Sequence, residues 1–346
     1  MKKTQRKMRV LVLMHEDLVP PDSIEGLTDK EMAPWKTEFD VLVTLRDMGH
    51  DVRPLGVASD LGVLRDAILE FNPHITFNLL EEFHGVAVYD QHVVSYLELM
   101  KRRYTGCNPR GLMLAHDKAL SKQVLSYHRL PVPDYAVFPM GRKARRSRRL
   151  GFPLLVKSLT EEGSVGIAQA SVVNNDEQLA ERVEFIHRQL STDAIAEQFI
   201  EGRELYVGVL GNQRLQTLPI WELLFTKMPD DVPLIATSKV KWDLEYQKKR
   251  GIVYRAADKL SSEVEQKIYR VCKRAYRDLH LSGYARMDLR LTADNQVYLL
   301  EANPNPELVY GGELSDSAEA AGLSYEALLQ RIITLGRSYR AQWQAD

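Results

Sequence analysis

From Gly283 to Pro306 the chain reads Gly-Tyr-Ala-Arg-Met-Asp-Leu-Arg-Leu-Thr-Ala-Asp-Asn-Gln-Val-Tyr-Leu-Leu-Glu-Ala-Asn-Pro-Asn-Pro, and this stretch restricts the fold more than any other. Two runs of alternating polar and apolar residues flank a polar tetrapeptide, the pattern of a β-hairpin with a loop over Thr292–Asn295. With Leu291 opposite Gln296, Arg286 falls opposite Glu301; Asp288 shares that face, and Asn303 follows Glu301 by the strand period of two. The reverse face reads Met287, Leu289, Leu291, Tyr298, Leu300 and Ala302 and is apolar. One face therefore gathers two carboxylates, an amide and a guanidinium over a greasy back. Carboxylate and amide oxygens are hard ligands suited to Mg²⁺, which leaves positions open for phosphate oxygens. An arginine beside them suits a phosphoryl group or a tetrahedral oxyanion. The same alternation also fits a hairpin whose charged face is merely solvated.

The chain has 346 residues, enough for two or three domains with their own cores. Of these, 27% are charged and 45% hydrophobic, with a formal charge of −1, values of an ordinary globular protein. Such a balance gives no electrostatic reason to expect nucleic acid or an anionic membrane as partner. Two cysteines, Cys107 and Cys272, exclude a disulfide framework and make the cytoplasm the expected compartment. The early apolar run Val10–Met14 is too short for a signal segment and suits a buried parallel strand.

That strand opens a β-α-β-α-β rhythm. A helical pattern through Phe39, Val41, Leu42, Leu45 and Met48 is followed by strand 51–55, a helix over 61–71, strand 74–78 and a helix over 90–100. Alternation of this kind predicts a doubly wound α/β domain over residues 1–115, closed by the turn-rich segment 104–111. Residues 116–200 predict a helix over 118–127, strand 153–157, a glycine loop, strand 167–173, a helix over 176–190 and strand 194–200. Residues 201–346 predict strands 204–210 and 215–223, a polar loop over 226–254, a helix over 261–279 and the hairpin.

Further constellations lie in the middle of the chain. Lys118 opens a helix, and Lys157 ends an apolar strand just before Glu162-Gly-Ser-Val-Gly166. An ammonium at a strand end beside flexible backbone N–H groups can clamp phosphates, although a single such lysine is as readily a plain surface charge. Neither a Walker A motif nor Gly-x-Gly-x-x-Gly occurs. The segment Ala196-Glu-Gln-Phe-Ile-Glu-Gly-Arg-Glu-Leu205 suits an adenine hinge, with Glu197 and Glu204 as acids for ribose hydroxyls, or an ordinary charged hairpin. The run Arg142–Arg149 holds six basic residues in eight, read as a solvated face or as a dock for a polyanion.

In this order the pieces resemble the ATP-grasp superfamily, and within it the D-alanine–D-alanine ligase family, over roughly residues 9–335. The resemblance rests on His-Asp-Lys118, Leu-Val-Lys157 with Gly-Ser-Val-Gly166, Glu197-Gln-Phe-Ile-Glu-Gly-Arg-Glu204, Arg286-Met-Asp288 and Glu301-Ala-Asn303-Pro, with Tyr104-Thr-Gly106 as the domain junction. It implies an ATP-grasp fold, α/β with an α+β C-terminal part, behind an N-terminal pre-ATP-grasp domain. It also implies an ATP-dependent carboxylate–amine ligase working through an acylphosphate, with ATP and two Mg²⁺ (or Mn²⁺) as cofactors. Lys118, Lys157 and Ser164 would hold ATP phosphates; Glu197, Phe199, Ile200 and Leu300 would enclose adenine, and Glu204 would bind ribose. Asp288, Glu301 and Asn303 would be the metal ligands, while Arg286, Lys241 and the backbone N–H of Glu307 would serve the reacting groups. A homodimer enters by family analogy alone.

The departures bear on substrate. The family's N-terminal Gly-Gly-x-Ser-x-Glu is absent, and His15-Glu16-Asp17 follows the first strand instead. Gly163 stands where the family has a substrate-organising serine, and Pro306-Glu307 and Gly312 replace its Pro-Gly and following Ser. Lys239-Val-Lys241-Trp242 stands near the place of the usual Lys-Tyr pair. ATP machinery retained with both substrate grips altered predicts small amino-acid or peptide substrates other than two D-alanines. A ligase that extends a peptide or protein terminus and a non-catalytic ATP-binding protein are the alternatives.

Overall fold

The computed structural model describes residues 7–21, 23–229 and 232–344. The N-terminal part runs β1 (Arg9–Met14), α1 (Asp29–Met32), α2 (Lys36–Asp47), β2 (Asp51–Gly56), α3 (Leu61–Phe71), β3 (Ile75–Asn78), α4 (Asp90–Leu99) and α5 (Pro109–His116). Its strands form a parallel sheet in the order β2-β1-β3, as the alternating rhythm requires. Strand β1 is buried on both sides because the period of two splits its apolar run. Leu11 and Leu13 face a core with Leu64, Ile68, Val93 and Val94, while Val10, Val12 and Met14 face Val41, Leu42 and Leu45.

The middle part runs α6 (Lys118–Tyr127), β4 (Tyr135–Phe138), β5 (Leu154–Ser158), β6 (Val172–Val173), α7 (Asp176–Leu190) and β7 (Ala194–Gln198). Its antiparallel sheet has the order β4-β7-β5-β6. Leu154, Val156, Ala194 and Ala196 pack with Leu179, Val183 and Ile186 of α7 into a separate core. The alternate residues Leu155, Lys157 and Glu197 are left on the opposite face, toward the rest of the molecule. Of the basic run, Arg146 is fixed against Asp176 at 2.9 Å and lies over Phe152, while Arg142, Lys143, Arg145, Arg148 and Arg149 are exposed.

The C-terminal part runs β8 (Arg203–Leu210), β9 (Gln216–Thr217), β10 (Trp221–Phe225), α8 (Ser238–Trp242), α9 (Leu244–Arg250), β11 (Ile252–Ala256), α10 (Ser262–Asp278), β12 (Tyr284–Leu291), β13 (Val297–Pro304), α11 (Glu313–Ala320) and α12 (Tyr325–Ser338). Its sheet has the order β11-β10-β8-β12-β13. Leu205, Val207, Met287, Leu289, Val297 and Leu299 pack under α10. Among the described residues no helix is long and apolar enough to cross a membrane.

Several local expectations are corrected. The hairpin pairs Leu291 with Val297, not Gln296, and between Asp288 and Leu289 the register shifts once more. Arg286 therefore faces Asn303, and Asp288 faces Glu301. The shift is a bulge in which Leu300 is the extra residue of β13. A one-residue slip exchanges the faces of a strand, so Val297 and Leu299, rather than Tyr298 and Leu300, join the apolar core. The expected strand 215–223 is broken because Pro219, without an N–H, separates β9 from β10. Strand 167–173 shrinks to β6 behind a short 3₁₀ turn. The polar loop 226–254 contains α8 and α9, capped by the Thr237 and Asp243 side chains, and strand β11. The turn-rich junction contains the start of α5, with Asn108 as N-cap and Pro109 in the first turn.

Candidate active site

Leu155, Lys157 and Glu197 of the middle sheet close over Glu204, Asp288, Arg290, Leu300 and Glu301 of the C-terminal sheet. Ser164, Phe199, Ile200, Ile235 and Lys241 complete the walls of one recess. Its roof is the loop over residues 161–167. Gly163, Ser164 and Gly166 take left-handed backbone there, with φ of 62°, 61° and 70°. The loop is latched to α8: Trp242 Nε1 donates to the Gly163 carbonyl at 3.0 Å, and Ser238 Oγ donates to that of Ser164 at 2.5 Å.

Alternating charges cross the recess. Lys122 Nζ lies 2.9 Å from Glu197 Oε1 and donates to the Leu300 carbonyl at 2.7 Å. Lys157 Nζ lies 3.4 Å from the same Glu197 oxygen and 3.2 Å from Glu301 Oε2. Burial alone would push the Glu197 carboxyl up, but the Lys122 and Lys157 ammoniums outweigh it and hold the group below the ordinary glutamate value. Glu301 follows the same logic. Burial opposes its charge, while Lys157, Lys118, Lys241 and Lys122 hold it far down. Lys157 is raised: burial disfavours its charge, and Glu197 and Glu301 more than compensate. Lys122 is lowered, because burial exceeds what Glu197 returns.

On the C-terminal sheet Arg290 stands directly across from Glu204, and the two bond at 2.5 Å. Arg286 grips Asp288 through both oxygens at 2.7 and 2.9 Å, reaches Glu313 at 3.2 Å, and lies over the Tyr206 ring. Among the described residues no three His, Cys, Asp or Glu side chains come together closely enough to hold a metal on protein ligands alone. Asp288 and Glu301 are nonetheless direct cross-strand partners, and both line the recess. Two carboxylates are the donor set that suits Mg²⁺ when phosphate oxygens supply other ligands.

Of the residues singled out in the sequence, Lys157, Ser164, Glu197, Phe199, Ile200, Glu204, Lys241, Asp288, Leu300 and Glu301 line this one recess. Lys118 is buried and donates to the Glu161 carbonyl at 2.6 Å, so it fixes the root of the lid loop. Arg286 sits behind Asp288, and Asn303 is its partner across the strands. Glu307 accepts from Thr37 Oγ1 at 3.2 Å, beside α2 of the N-terminal part. Three contributors were missed. Lys122 stands four residues after Lys118 on the same helix face, a spacing that could have flagged it. Arg290 continues the alternation Arg286, Asp288. His116 lies 3.1 Å from Asp90 and 3.4 Å from Glu162, tying the N-terminal part to the lid. Burial opposes its charge, but Glu162 and Asp90 push the imidazole up to about 9.

Two sheets closing on a charged recess, with a glycine lid above and paired carboxylates below, define the ATP-grasp class. Solved D-alanine–D-alanine ligases share this fold. The enzyme of Bacillus anthracis complexed with ATP has a TM-score of 0.73 at 21% identity, covering 95% of this chain and 97% of its own. That of Coxiella burnetii has a TM-score of 0.70 at 19% identity, covering 96% and 94%. The family model "D-ala D-ala ligase C-terminus" matches residues 124–334. The D-alanine–D-alanine ligase of Desulfotalea psychrophila is 31% identical over 326 residues, 92% of this chain and 89% of its own length. That of Desulforudis audaxviator is 29% identical over 317 residues, 90% and 96%. The chain belongs to the D-alanine–D-alanine ligase family and is an ATP-dependent ligase that forms carbon–nitrogen bonds.

Proposed function

We propose that this ligase joins an amino-acid or small-peptide carboxylate to an amine in a pair other than two D-alanines. Residues 1–115, 116–200 and 201–346 would act as substrate unit, lid and catalytic floor. The observation that carries the ligase part of this reading is the recess itself, where Lys157, Glu197, Glu301 and Asp288 stand beside the lid and Lys241; the choice of pair rests on the altered residues Glu16, Gly163, Glu307 and Gly312. A carboxylate oxygen of the donor attacks the γ-phosphorus of ATP, and the bond to the leaving ADP oxygen breaks. The amine nitrogen then attacks the acyl carbon, phosphate leaves, and the nitrogen loses a proton. Lys157 and Lys241 offer ammoniums to the phosphates, with Lys118 and Ser164 setting the lid above them. Phe199, Ile200 and Leu300 offer apolar surface to the base, and Glu204, oriented by Arg290, offers a carboxylate to the ribose. Asp288, Glu301 and Asn303 would hold Mg²⁺, which when bound neutralises phosphate charge. Arg286 and the Glu307 N–H would serve the developing oxyanion; such catalysis is positioning and charge stabilisation.

The substrate side gathers carboxyl groups without cationic partners among the described residues. Glu38 of α2 is 5% exposed and has no cationic partner among the described residues; burial, then Glu307, pushes its carboxyl up to about 7. Glu81, just after β3, is exposed; the protein around it, then the Glu162, Glu38 and Glu307 carboxylates, push its carboxyl up. Carboxylates raised in this way favour a substrate that brings a protonated amine. The test is phosphate release from ATP and Mg²⁺ against amino acids and dipeptides, singly and paired, with mass spectrometry of the products. Turnover on D-alanine alone as fast as on any other pair would overturn the substrate part, and full activity of Glu301→Ala would overturn the site.

A further inference from the structure

A second cavity of about 1070 Å³ shares no lining residue with the ATP recess. It opens in the seam where the N-terminal part docks on the C-terminal sheet, and five arginines from five separate segments line it. Arg110 comes from α5, Arg214 from the turn after β8, Arg277 from the last turn of α10, Arg331 from α12, and Arg340 from the chain just beyond it. None of the five guanidiniums has a hydrogen bond or ion pair with any described residue. The Nε of Arg331 is fully buried and still lacks a partner. The sole carboxylate in the wall, Glu98, already accepts from the Tyr104 hydroxyl at 2.6 Å. In a chain with a net charge of −1, this is a concentrated, uncompensated positive field.

We propose that this cavity binds a small, multiply charged anion bearing phosphate or carboxylate groups. A guanidinium is a planar fork that matches both groups bidentately, and it keeps its charge at any physiological pH. The volume is that of a small-molecule pocket. All five line this one cavity, Arg110, Arg214, Arg277 and Arg340 exposed to solvent and Arg331 half-buried, so a small ligand reaches them together. The exposed basic run 142–149 takes no part in it. Five like charges held together repel one another, so an anion that fills the cavity stabilises the fold and does so more strongly at low salt. Because its ligand joins segments of the N-terminal part, α10 and the last helix, the cavity is placed to sense an effector apart from the reacting substrates. The inference does not depend on the ligase reading.

Calorimetric titration of the full chain with inorganic triphosphate and with citrate tests it, the ATP recess being saturated by a non-hydrolysable ATP analogue. Saturable binding of at least one probe, weakening several-fold from low to physiological salt, is expected. Arg277→Glu should weaken it tenfold or more, and the milder pair Arg110→Gln/Arg331→Gln provides the same test should the charge reversal impair folding. Preference for triphosphate assigns phosphate groups, preference for citrate assigns carboxylates, and either supports the site. Absence of binding, loss of binding on saturation of the ATP recess, or binding indifferent to both sets of variants overturns it. Tighter binding of a 20-nucleotide single strand than of either probe also overturns the small-anion reading.

Discussion

Replacing Lys122 by methionine tests the charge logic of the recess at its most buried point. The side chain is 2% exposed, and its ammonium serves two acceptors, the Glu197 carboxylate at 2.9 Å and the Leu300 carbonyl at 2.7 Å. Removing one partner of a buried ion pair costs about 3–5 kcal/mol, because the other charge stays desolvated. Lys157 remains 3.4 Å from Glu197, which brings the expected loss to the lower end, about 3 kcal/mol. Glu197→Gln leaves Lys122 without its carboxylate, but burial already lowers that ammonium and it can shed its proton, so about 2 kcal/mol is expected. Together the two substitutions remove both charges and should cost about 2 kcal/mol rather than the additive ~5. Urea unfolding of the four proteins, with m-values compared, measures this coupling. Additive losses, or a Lys122→Met cost under about 0.5 kcal/mol, would refute the reasoning.

Other outcomes follow from the same geometry. His116 has a folded-state value raised to about 9, so its ion pairs stabilise fully below its ordinary value near 6.5 and are lost as pH rises through 9. Melting at a series of pH values should show about 2–3 kcal/mol lost across that window, and His116→Gln should flatten the slope. Glu38 acts in the same sense at lower pH: burial raises its carboxyl from the ordinary 4.5 to about 7, so stability is lost as pH rises from 4.5 through 7 and the loss is complete above it. Glu38→Gln should therefore raise stability at pH 8 by roughly 1–3 kcal/mol and leave it unchanged at pH 4.5, while raising KM for the amine substrate. An unchanged KM would remove Glu38 from substrate recognition. Trp242→Phe deletes the indole donor that latches the lid to α8 and should raise KM for ATP about two- to five-fold with kcat kept, measured by phosphate release.

Much of this site is legible in one dimension because the chemistry is written in short alternating strands. Lys157 shares a face with Leu155 by the period of two, as Asp288 does with Arg286, so residues of the recess can be chosen strand by strand before any fold is seen. The pairing between strands is not so written. Loop closure one residue later than expected, and the bulge at Asp288/Leu289, decide which carboxylate meets which, and they turn Leu300 from the core into the recess. Short helices within polar sequence, α8 and α9, escape a periodicity argument because they are too short to repeat an apolar face, although their Thr237 and Asp243 caps are plain.

Short-range pattern is enough to mark which side chains line the recess, and that strands carry them. What neutralises them is set by packing between distant segments. Lys122 of α6 joins Glu197 of β7 to the Leu300 carbonyl of β13, and Arg290 meets Glu204 because β8 runs antiparallel to β12. The last helix, α12, returns to bury Leu328, Leu329, Ile332 and Ile333 against the first strand, and so fuses the two ends of the chain into one core. The arginine-lined seam exists only because of that return. Local propensity and periodicity act over a few residues, whereas such contacts join segments hundreds of residues apart, and their cost in chain entropy is offset only when the whole core closes.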